Sequence, residues 1–316
     1  MKLSKIEIKN YRGIRDFSYS FSTPDDILVL GGLNGSGKSS VLEACLLALG
    51  QPFEMREPLP DQDYHISLEL QDEWGHSLPT LETTRGKQPA RDLPFNAFYF
   101  SSWRAPKRVH GVGMNVGKKG NRPRKKEENA LWNLKQLLVN IQGYSGYASG
   151  EEMKVKINTI FSCLNRTWNI FFPGQGESFF VDIEKSNDIS HFSISAETKF
   201  DLFLDRPELS AKIPVDELSS GEIELLCLFG TLIAERTLNG RSYDFVFLDE
   251  PELHLNPVWH RTLLPALQEC TRDIPGQQDF FPTKTQFIVA THSDGIWDSA
   301  YTFQRLFLQN GRIKED

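Results

Sequence analysis

The amino-acid sequence predicts an α/β fold with a parallel core sheet, an antiparallel subsheet and a small helical lobe. Residues 27–30 are apolar and precede a glycine-rich loop and a helical stretch, the order expected around a buried parallel strand. Residues 245–248 form a second apolar run, which ends in two acidic side chains. Residues 3–9 mostly alternate between apolar and polar, as in a half-buried strand of an antiparallel sheet. Together these three patterns indicate the fold class.

Further elements are predicted from the period of the apolar residues. Alternation predicts strands at 17–21, 64–70, 78–84, 96–101 and 305–309, and a hairpin of 179–184 with 192–196. Helical spacing predicts helices at 39–49, 127–141, 151–171 and 223–238. We therefore expect an N-terminal lobe, a basic loop, a small helical lobe and a C-terminal lobe, at 1–103, 104–126, 127–177 and 178–316.

Composition indicates a soluble globular protein. Of the 316 residues, 39% are hydrophobic and 24% are charged, and no apolar run approaches the roughly 18 to 20 residues that span a bilayer. The N-terminus lacks the apolar core of a signal peptide. The four cysteines, at 45, 163, 227 and 270, are far apart, which indicates reduced thiols rather than a metal site. We expect a cytoplasmic protein that does not enter a membrane.

Residues 104–126 are strongly basic, although the net charge of the whole chain is −7. This stretch has nine Lys or Arg, no Asp or Glu and four Gly, which predicts a mobile loop. It is either a solvated insertion or a contact for nucleic acid or an acidic partner. Because aromatic residues are not regularly interleaved, base stacking is not indicated. The candidate contact residues are Arg104, Lys107, Arg108, Lys118, Lys119, Arg122, Arg124, Lys125 and Lys126.

The glycine-rich loop over 32–39 reads Gly-Leu-Asn-Gly-Ser-Gly-Lys-Ser and fits the phosphate-binding pattern of Gly, four residues, then Gly-Lys-Ser/Thr. Its glycines allow consecutive N–H groups to face phosphates, and the following helix adds the positive end of its dipole. We expect Lys38 to reach the β- and γ-phosphates and the Ser39 hydroxyl to bind Mg²⁺. The alternative is a purely structural turn. The predicted nucleotide-binding residues are Asn34, Gly35, Ser36, Gly37, Lys38, Ser39 and Ser40.

A candidate metal ligand and a candidate general base follow the run at 245–248. Asp249 lies at the C-terminal tip of this predicted strand, where it would hold a Mg²⁺-bound water beside a phosphate loop. The adjacent Glu250 is placed to polarise the attacking water. The alternative interpretation is that the two acids only mark the boundary between a strand and a turn. The phosphate loop upstream favours the catalytic interpretation.

Two later motifs resemble those of ABC-type ATPases. Leu218, Ser219, Ser220, Gly221 and Glu222, followed by an apolar helix, resemble the signature motif, which is normally Leu-Ser-Gly-Gly-Gln in transporters. Residues 287–293, Phe-Ile-Val-Ala-Thr-His-Ser, resemble the switch strand. This resemblance implies that His292 senses the γ-phosphate and shares catalysis with Glu250. It also implies that the signature of one subunit contacts the ATP held by the phosphate loop of another.

The patterns at 6–14, 34–44 and 249–257 resemble the SMC, RecF and OLD branch of this class. The branch has an ABC-ATPase head, in which a P-loop NTPase core sheet carries an antiparallel β subsheet, and it places Arg12 near the nucleotide. This chain has Asn256 where its relatives usually have His. The substitution leaves the catalytic acids intact, but it puts in doubt any role of that His at a dimer seam. No clear Gln of the Q-loop is found; the predicted strand end near Ser101 is the matching place.

The resemblance implies an ATP- and Mg²⁺-dependent switch that forms a head-to-head homodimer or a higher oligomer and converts ATP and water to ADP and phosphate. A long coiled coil is absent, and only 24 residues follow His292, so neither chromosome clamping nor an OLD-type nuclease domain is expected. The chain most resembles the stand-alone ATPases of bacterial antiphage defence systems of the Septu and PARIS kind, in which a separate toxin or nuclease acts as effector. The alternatives are a RecF-like DNA-repair ATPase that binds DNA through residues 104–126, and a separate ATPase subunit of a transporter.

Overall fold

The structure is a computed structural model that describes residues 1–21, 27–51, 63–72, 74–87, 96–101, 112–113, 130–145, 150–183, 199–239, 243–271 and 285–314. Apart from 112–113, the basic loop at 104–126 lies outside the described residues, as does the strand expected at 192–196. The chain forms two compact units. The first comprises 1–102, 242–264 and 273–316, and the second comprises 103–241 and 265–272.

The elements of the described residues are as follows. In chain order the strands are β1 (Lys2–Tyr11), β2 (Ile14–Ser20), β3 (Ile27–Gly31), β4 (His65–Gln71), β5 (Leu81–Thr84), β6 (Ala97–Phe100), β7 (Val112–Gly113), β8 (Ser178–Ile183), β9 (Lys199–Arg206), β10 (Ala211–Pro214), β11 (Phe245–Asp249), β12 (Gln286–Ala290), β13 (Gln304–Gln309) and β14 (Arg312–Ile313). The helices are α1 (Lys38–Ala48), α2 (Ala130–Ser145), α3 (Gly150–Phe171), α4 (Ser220–Asn239), α5 (Pro257–Cys270) and α6 (Asp294–Ser299).

A six-stranded sheet in the order β14-β13-β3-β12-β11-β6 organises the first unit. Its strands pair in parallel, except that β13 and β14 are antiparallel. Every residue of β3, β11 and β12 is buried, and this explains why these strands are unbroken apolar runs rather than alternating ones. Because the three strands are parallel neighbours, the chain segments that follow them leave from one edge of the sheet.

The antiparallel subsheet also lies in the first unit, with the strand order β2-β1-β4-β5. Ile6 of β1 is opposite Tyr19 on one side and Leu68 on the other, so the apolar positions share a face. That face belongs to the same hydrophobic cluster as α1 and strand β3. The predicted fold class, with a parallel core sheet and an antiparallel subsheet, is confirmed.

The second unit packs α2, α3 and α4 with antiparallel strands. A Cβ on Gly230 of α4 would lie 2.6 Å from Cδ2 of Leu134, so glycine permits this close approach of α2 and α4. The rings of Phe171 in α3 and Phe229 in α4 have centroids 5.6 Å apart. The predicted helical lobe therefore shares its core with α4, and the unit runs across the boundary expected between 177 and 178.

Strand β8 forms a hairpin with β9, and its register places Phe179 opposite Leu204. The second strand of this hairpin is thus later in the chain than the pattern at 192–196 indicated. The apolar residues Phe200, Leu202, Phe203 and Leu204 were the signal for it. Among the helices that the structure describes, none has the length and apolarity required to cross a membrane.

Candidate active site

The loop between β3 and α1 has the geometry of a phosphate-binding loop. Gly32 has a φ of 145° and Gly37, which precedes α1, has a φ of 104°. A Cβ on Gly32 would lie 2.5 Å from the carbonyl oxygen of Leu308 and 2.7 Å from Oγ of Ser36. Both the backbone conformation and the space at position 32 therefore require glycine. The predicted order of strand, loop and helix is present.

Lys38 is only 4% exposed, and its Nζ donates to the carbonyl oxygens of Gly32 at 2.8 Å and Leu33 at 3.1 Å. Burial lowers the pKa of the Lys38 amine, and the carboxylates of Glu250, Asp249 and Glu252 act in the opposite direction. The ammonium thus lies inside the loop and within the field of three carboxylates.

The loop also buries a hydroxyl that no described residue satisfies. Oγ of Ser36 is buried and has no hydrogen-bond partner among the described residues. Such an atom costs free energy unless a ligand supplies a partner. An orphaned hydroxyl in the same loop as the Lys38 ammonium fits a phosphate group, whereas Asn34 and Gly35 lie exposed at the tip of the loop.

The two candidate Mg²⁺ ligands touch each other. Oγ of Ser39 donates a 2.8 Å hydrogen bond to Oδ1 of Asp249, across 210 positions of sequence. Asp249 is buried at the end of β11, and Ser39 is the second residue of α1. A hydroxyl and a carboxylate next to a phosphate-binding loop form the oxygen-donor pair that Mg²⁺ takes in such sites.

His292 lies against the acids that follow β11. Its Nδ1 is 3.2 Å from Oε1 of Glu250 and 3.5 Å from Oε1 of Glu252. Glu250 has a φ of 48°, in the left-handed region that non-glycine residues rarely adopt, and its N–H donates to the carbonyl oxygen of Ala290. This bond ties the turn after β11 to the end of β12. The candidate base and the candidate γ-phosphate sensor are thus held together.

Glu252 was not expected at the site. Its Oε1 accepts hydrogen bonds from Oγ1 of Thr291 and from the backbone N–H of His292, the latter at 3.1 Å. The second acid of the Asp-Glu-Pro-Glu segment was the available signal, but the sequence pattern alone did not show that its side chain turns back to the residues that follow β12.

Arg12 occupies the turn between β1 and β2, with a φ of 51°. Its Nη1 donates to Oε2 of Glu43 in α1, and its guanidinium lies 5.7 Å from the centroid of the Tyr11 ring. The residue predicted to lie near the nucleotide is therefore attached to the helix that begins in the phosphate loop. Glu43 is a partner that the sequence analysis missed, because nothing local pairs positions 12 and 43.

The signature-like segment lies in the second unit and caps α4. The N–H of Ser219 donates to Oε2 of Glu222 at 2.8 Å, and the N–H of Glu222 donates to Oγ of Ser219 at 3.3 Å. This reciprocal pair is a capping box, which the Ser-x-x-Glu spacing could have predicted. Leu218 is buried, and the segment is consequently held rigidly at the helix N-terminus.

Ion pairs of Arg206 hold the Glu222 side chain of this cap in place. Nη2 of Arg206 donates to Oε1 of Glu222, and Nε of Arg206 is 2.7 Å from Oε1 of Glu177. Nε1 of Trp168 donates to the other oxygen of Glu177 at 2.7 Å. A cavity of about 260 Å³ lies beside these residues. Arg206 and Glu177 were not found from the sequence, because their partners are distant in the chain.

Comparison with protein families matches residues 126–298 to the family described as "AAA domain, putative AbiEii toxin, Type IV TA system". Residues 1–71 match the family described as "AAA ATPase domain". The first match covers more than half of the 316 residues and includes the signature-like segment, both acids and His292. The second includes Arg12 and the phosphate loop.

Two curated relatives and one solved structure show further similarity. The chain is 23% identical to "Septu protein PtuA" of Bacillus mycoides over 92% of its own length, and 30% identical to "Retron Ec83 probable ATPase" of Escherichia coli over 35%. It spans only 38% and 20% of the lengths of these relatives. The "Crystal structure of the SmcHead bound to the C-winged helix domain of ScpA" matches 99% of this chain and 96% of that chain, with a TM-score of 0.54 and 15% identity. This match supports the same head fold.

Proposed function

The chain belongs to the family described as "AAA domain, putative AbiEii toxin, Type IV TA system", and from that membership we propose that it binds ATP and hydrolyses it to ADP and phosphate. The observation that carries the proposal is the convergence of Ser39, Asp249, Glu250 and His292 at one edge of the core sheet. A phosphate group fits the loop because Lys38 and the orphaned hydroxyl of Ser36 face it from within.

In this proposal, each of the candidate site residues in the first unit has a separate role in hydrolysis. Lys38 neutralises charge on the β- and γ-phosphates, and the loop N–H groups orient them. The carboxylate of Glu250 takes a proton from the water that attacks the γ-phosphorus, while the bond to the ADP oxygen breaks. His292 orients the γ-phosphate from the neighbouring strand. Ser39 and Asp249 would hold Mg²⁺, which withdraws charge from the phosphate oxygens.

We further propose that a second copy of the chain completes each site. The chain has one phosphate loop and one signature-like segment, in separate compact units. The N-terminus of α4, with Ser220 and Gly221 beyond the Ser219 cap, offers N–H groups and a hydroxyl to a phosphate. ATP then joins the two copies as a head-to-head homodimer or part of a higher oligomer, and hydrolysis releases them.

The biological role that we propose is control of a separate effector, a toxin or a nuclease, in antiphage defence. Support comes from the similarity to the Septu protein PtuA across most of this chain and to a retron ATPase over part of it. ATP binding and hydrolysis would then act as a switch on the effector rather than as metabolism. The alternative of a DNA-repair ATPase depends on residues 104–126, most of which the structure does not describe.

Trapping the ATP-bound assembly tests this role. We would express tagged Glu250→Gln protein in its native host, purify it with ATP and identify the proteins that co-purify in stoichiometric amounts. A small toxin or nuclease encoded beside the gene is the expected result. DNA or repair factors in its place would support the repair alternative, and neutralising the nine basic residues of 104–126 should then abolish DNA-stimulated hydrolysis.

A further inference from the structure

The strongest unassigned feature of the molecule is the buried carboxylate of Glu252. The residue is 4% exposed and follows Glu250 by two positions. Its Oε1 accepts from the Thr291 hydroxyl and from the N–H of His292, and it also lies 3.5 Å from Nδ1 of His292. The same oxygen thus contacts both the backbone N–H and the imidazole ring of His292.

We propose that Glu252 is the positioning residue of His292 and that it couples the turn after β11 to the switch strand β12. The proposal deepens the proposed ATPase function and rests on it for its kinetic part. Glu252 acts through His292: it holds the backbone by one hydrogen bond and leaves the imidazole between two carboxylates, its own and that of Glu250.

The surrounding hydrogen bonds make this coupling rigid. The N–H of Leu255 donates to the carbonyl oxygen of Glu252 at 2.9 Å, so its backbone is fixed in the turn. On the other strand, Oγ1 of Thr291 accepts from the N–H of Ser293 at 2.9 Å, and the N–H of Thr291 donates to Leu30 of β3. The Glu252 carboxylate therefore connects the ends of three neighbouring strands, β11, β12 and β3.

A purely structural role does not explain the charge at this position. Oε2 of Glu252 is buried and has no hydrogen-bond partner among the described residues. An unsatisfied buried carboxylate oxygen is costly, and a glutamine could accept the same two bonds without burying a charge. The position of this carboxylate explains why it is present despite that cost. It lies beside the imidazole of His292, and it is one of the three carboxylates whose charge acts on Lys38.

A double-mutant cycle tests the coupling. ATP turnover is measured for the parent protein, for Glu252→Ala, for His292→Ala and for the double variant. We expect Glu252→Ala to lower kcat about a hundredfold with KM for ATP within twofold, because the switch residue is misplaced rather than ATP lost. The double variant should be no slower than His292→Ala alone. Additive losses, or a parental kcat in Glu252→Ala, would overturn the proposal.

A second measurement needs no turnover and separates this inference from the ATPase proposal. Amide hydrogen exchange of residues 291–293 should accelerate in Glu252→Ala, because the N–H of His292 loses its acceptor. The matched control is Asp244→Asn, which removes a carboxylate at the opposite end of β11 and should leave that exchange and kcat unchanged. Unchanged exchange in Glu252→Ala refutes the positioning role, whereas an inactive parent with accelerated exchange refutes only the ATPase proposal.

The same measurements are made with Glu252→Met, which keeps a side chain of similar length but removes both acceptor oxygens. If the alanine variant fails to fold, the methionine variant decides the result. A reduced kcat that is non-additive with His292→Ala supports positioning by the carboxylate. A parental kcat in Glu252→Met shows that the side chain does not position His292, and the proposal is then wrong.

Discussion

The Ser39 hydroxyl and the Asp249 carboxylate are hydrogen-bonded at 2.8 Å, although 210 positions of sequence separate them. The bond exists because β12 lies between β3 and β11, so that three parallel strands deliver their following segments to one edge. This relationship places the phosphate loop and the two acids around the same small volume.

Replacing Lys38 with alanine should abolish nucleotide binding. The ammonium is buried in the loop, and hydrogen bonds from it to charged phosphate oxygens would each be worth about 1.5–3 kcal/mol, so losing two of them should lower the affinity about a hundredfold or more, which leaves almost no binding at ordinary ATP concentrations. Titration with a fluorescent ATP analogue measures the loss. Undiminished affinity would contradict the assignment of the phosphate loop.

Glu250→Gln should bind ATP with nearly parental affinity and hydrolyse it about 10²- to 10⁴-fold more slowly, because the general base is lost while the loop remains intact. Single-turnover assays with Mg²⁺ measure the chemical step directly. Asp244→Asn, at the other end of the same strand, serves as the control and should hydrolyse at the parental rate. Glu250 is not the base if its variant keeps that rate.

A mixture of two inactive variants should regain activity if a second copy completes the site. Lys38→Ala disables the loop of one subunit, and Ser220→Arg would block the signature-like segment of the other. Random pairing makes about half of the dimers mixed, and each mixed dimer has one intact site of its two. About a quarter of the parental activity should therefore return. Activity equal to the average of the separate variants would instead indicate that each chain works alone.

Gly32→Ala should destabilise the first unit. The added Cβ would lie 2.5 Å from the Leu308 carbonyl oxygen, and the φ of 145° is unfavourable for alanine. We expect a loss of about 2–3 kcal/mol in the free energy of unfolding, measured by urea denaturation. Gly13→Ala is the matched control, since its Cβ would meet nothing within 4 Å, and it should unfold with nearly parental stability.

Lys135→Met should destabilise the second unit by about 3–5 kcal/mol, because it leaves two buried carboxylates without their cation. The fully buried Nζ of Lys135 lies 2.6 Å from Asp201 and also contacts Asp216, just before the signature-like segment. Burial raises the pKa of Asp201, and the hydrogen bond from Lys135 acts in the opposite direction. Thermal unfolding measures the effect, and Lys154→Met, which breaks an exposed pair with Glu151, should change it little.

Sequence patterns predicted most of the elements near the site because the patterns are local. A run of apolar residues indicates a buried parallel strand wherever it pairs, and glycines at 32 and 37 specify a loop through their own backbone angles. The boundaries shifted by a few residues at most for α1, α3 and β13. The second strand of the β8–β9 hairpin was misplaced, because residues 200–204 do not alternate strictly and Phe203 stands where alternation requires a polar residue.

The sequence by itself determined that this chain has a parallel α/β core with a phosphate loop, a pair of acids at a strand end, a strand that resembles the switch strand and a helix after the signature-like segment. The tertiary structure alone decided which side chains meet. Glu252 with His292, Glu43 with Arg12, and Arg206 with both Glu177 and Glu222 are contacts between segments far apart in sequence. Local periodicity carries no information on such pairs, since they depend on strand order and on which helix packs beside them.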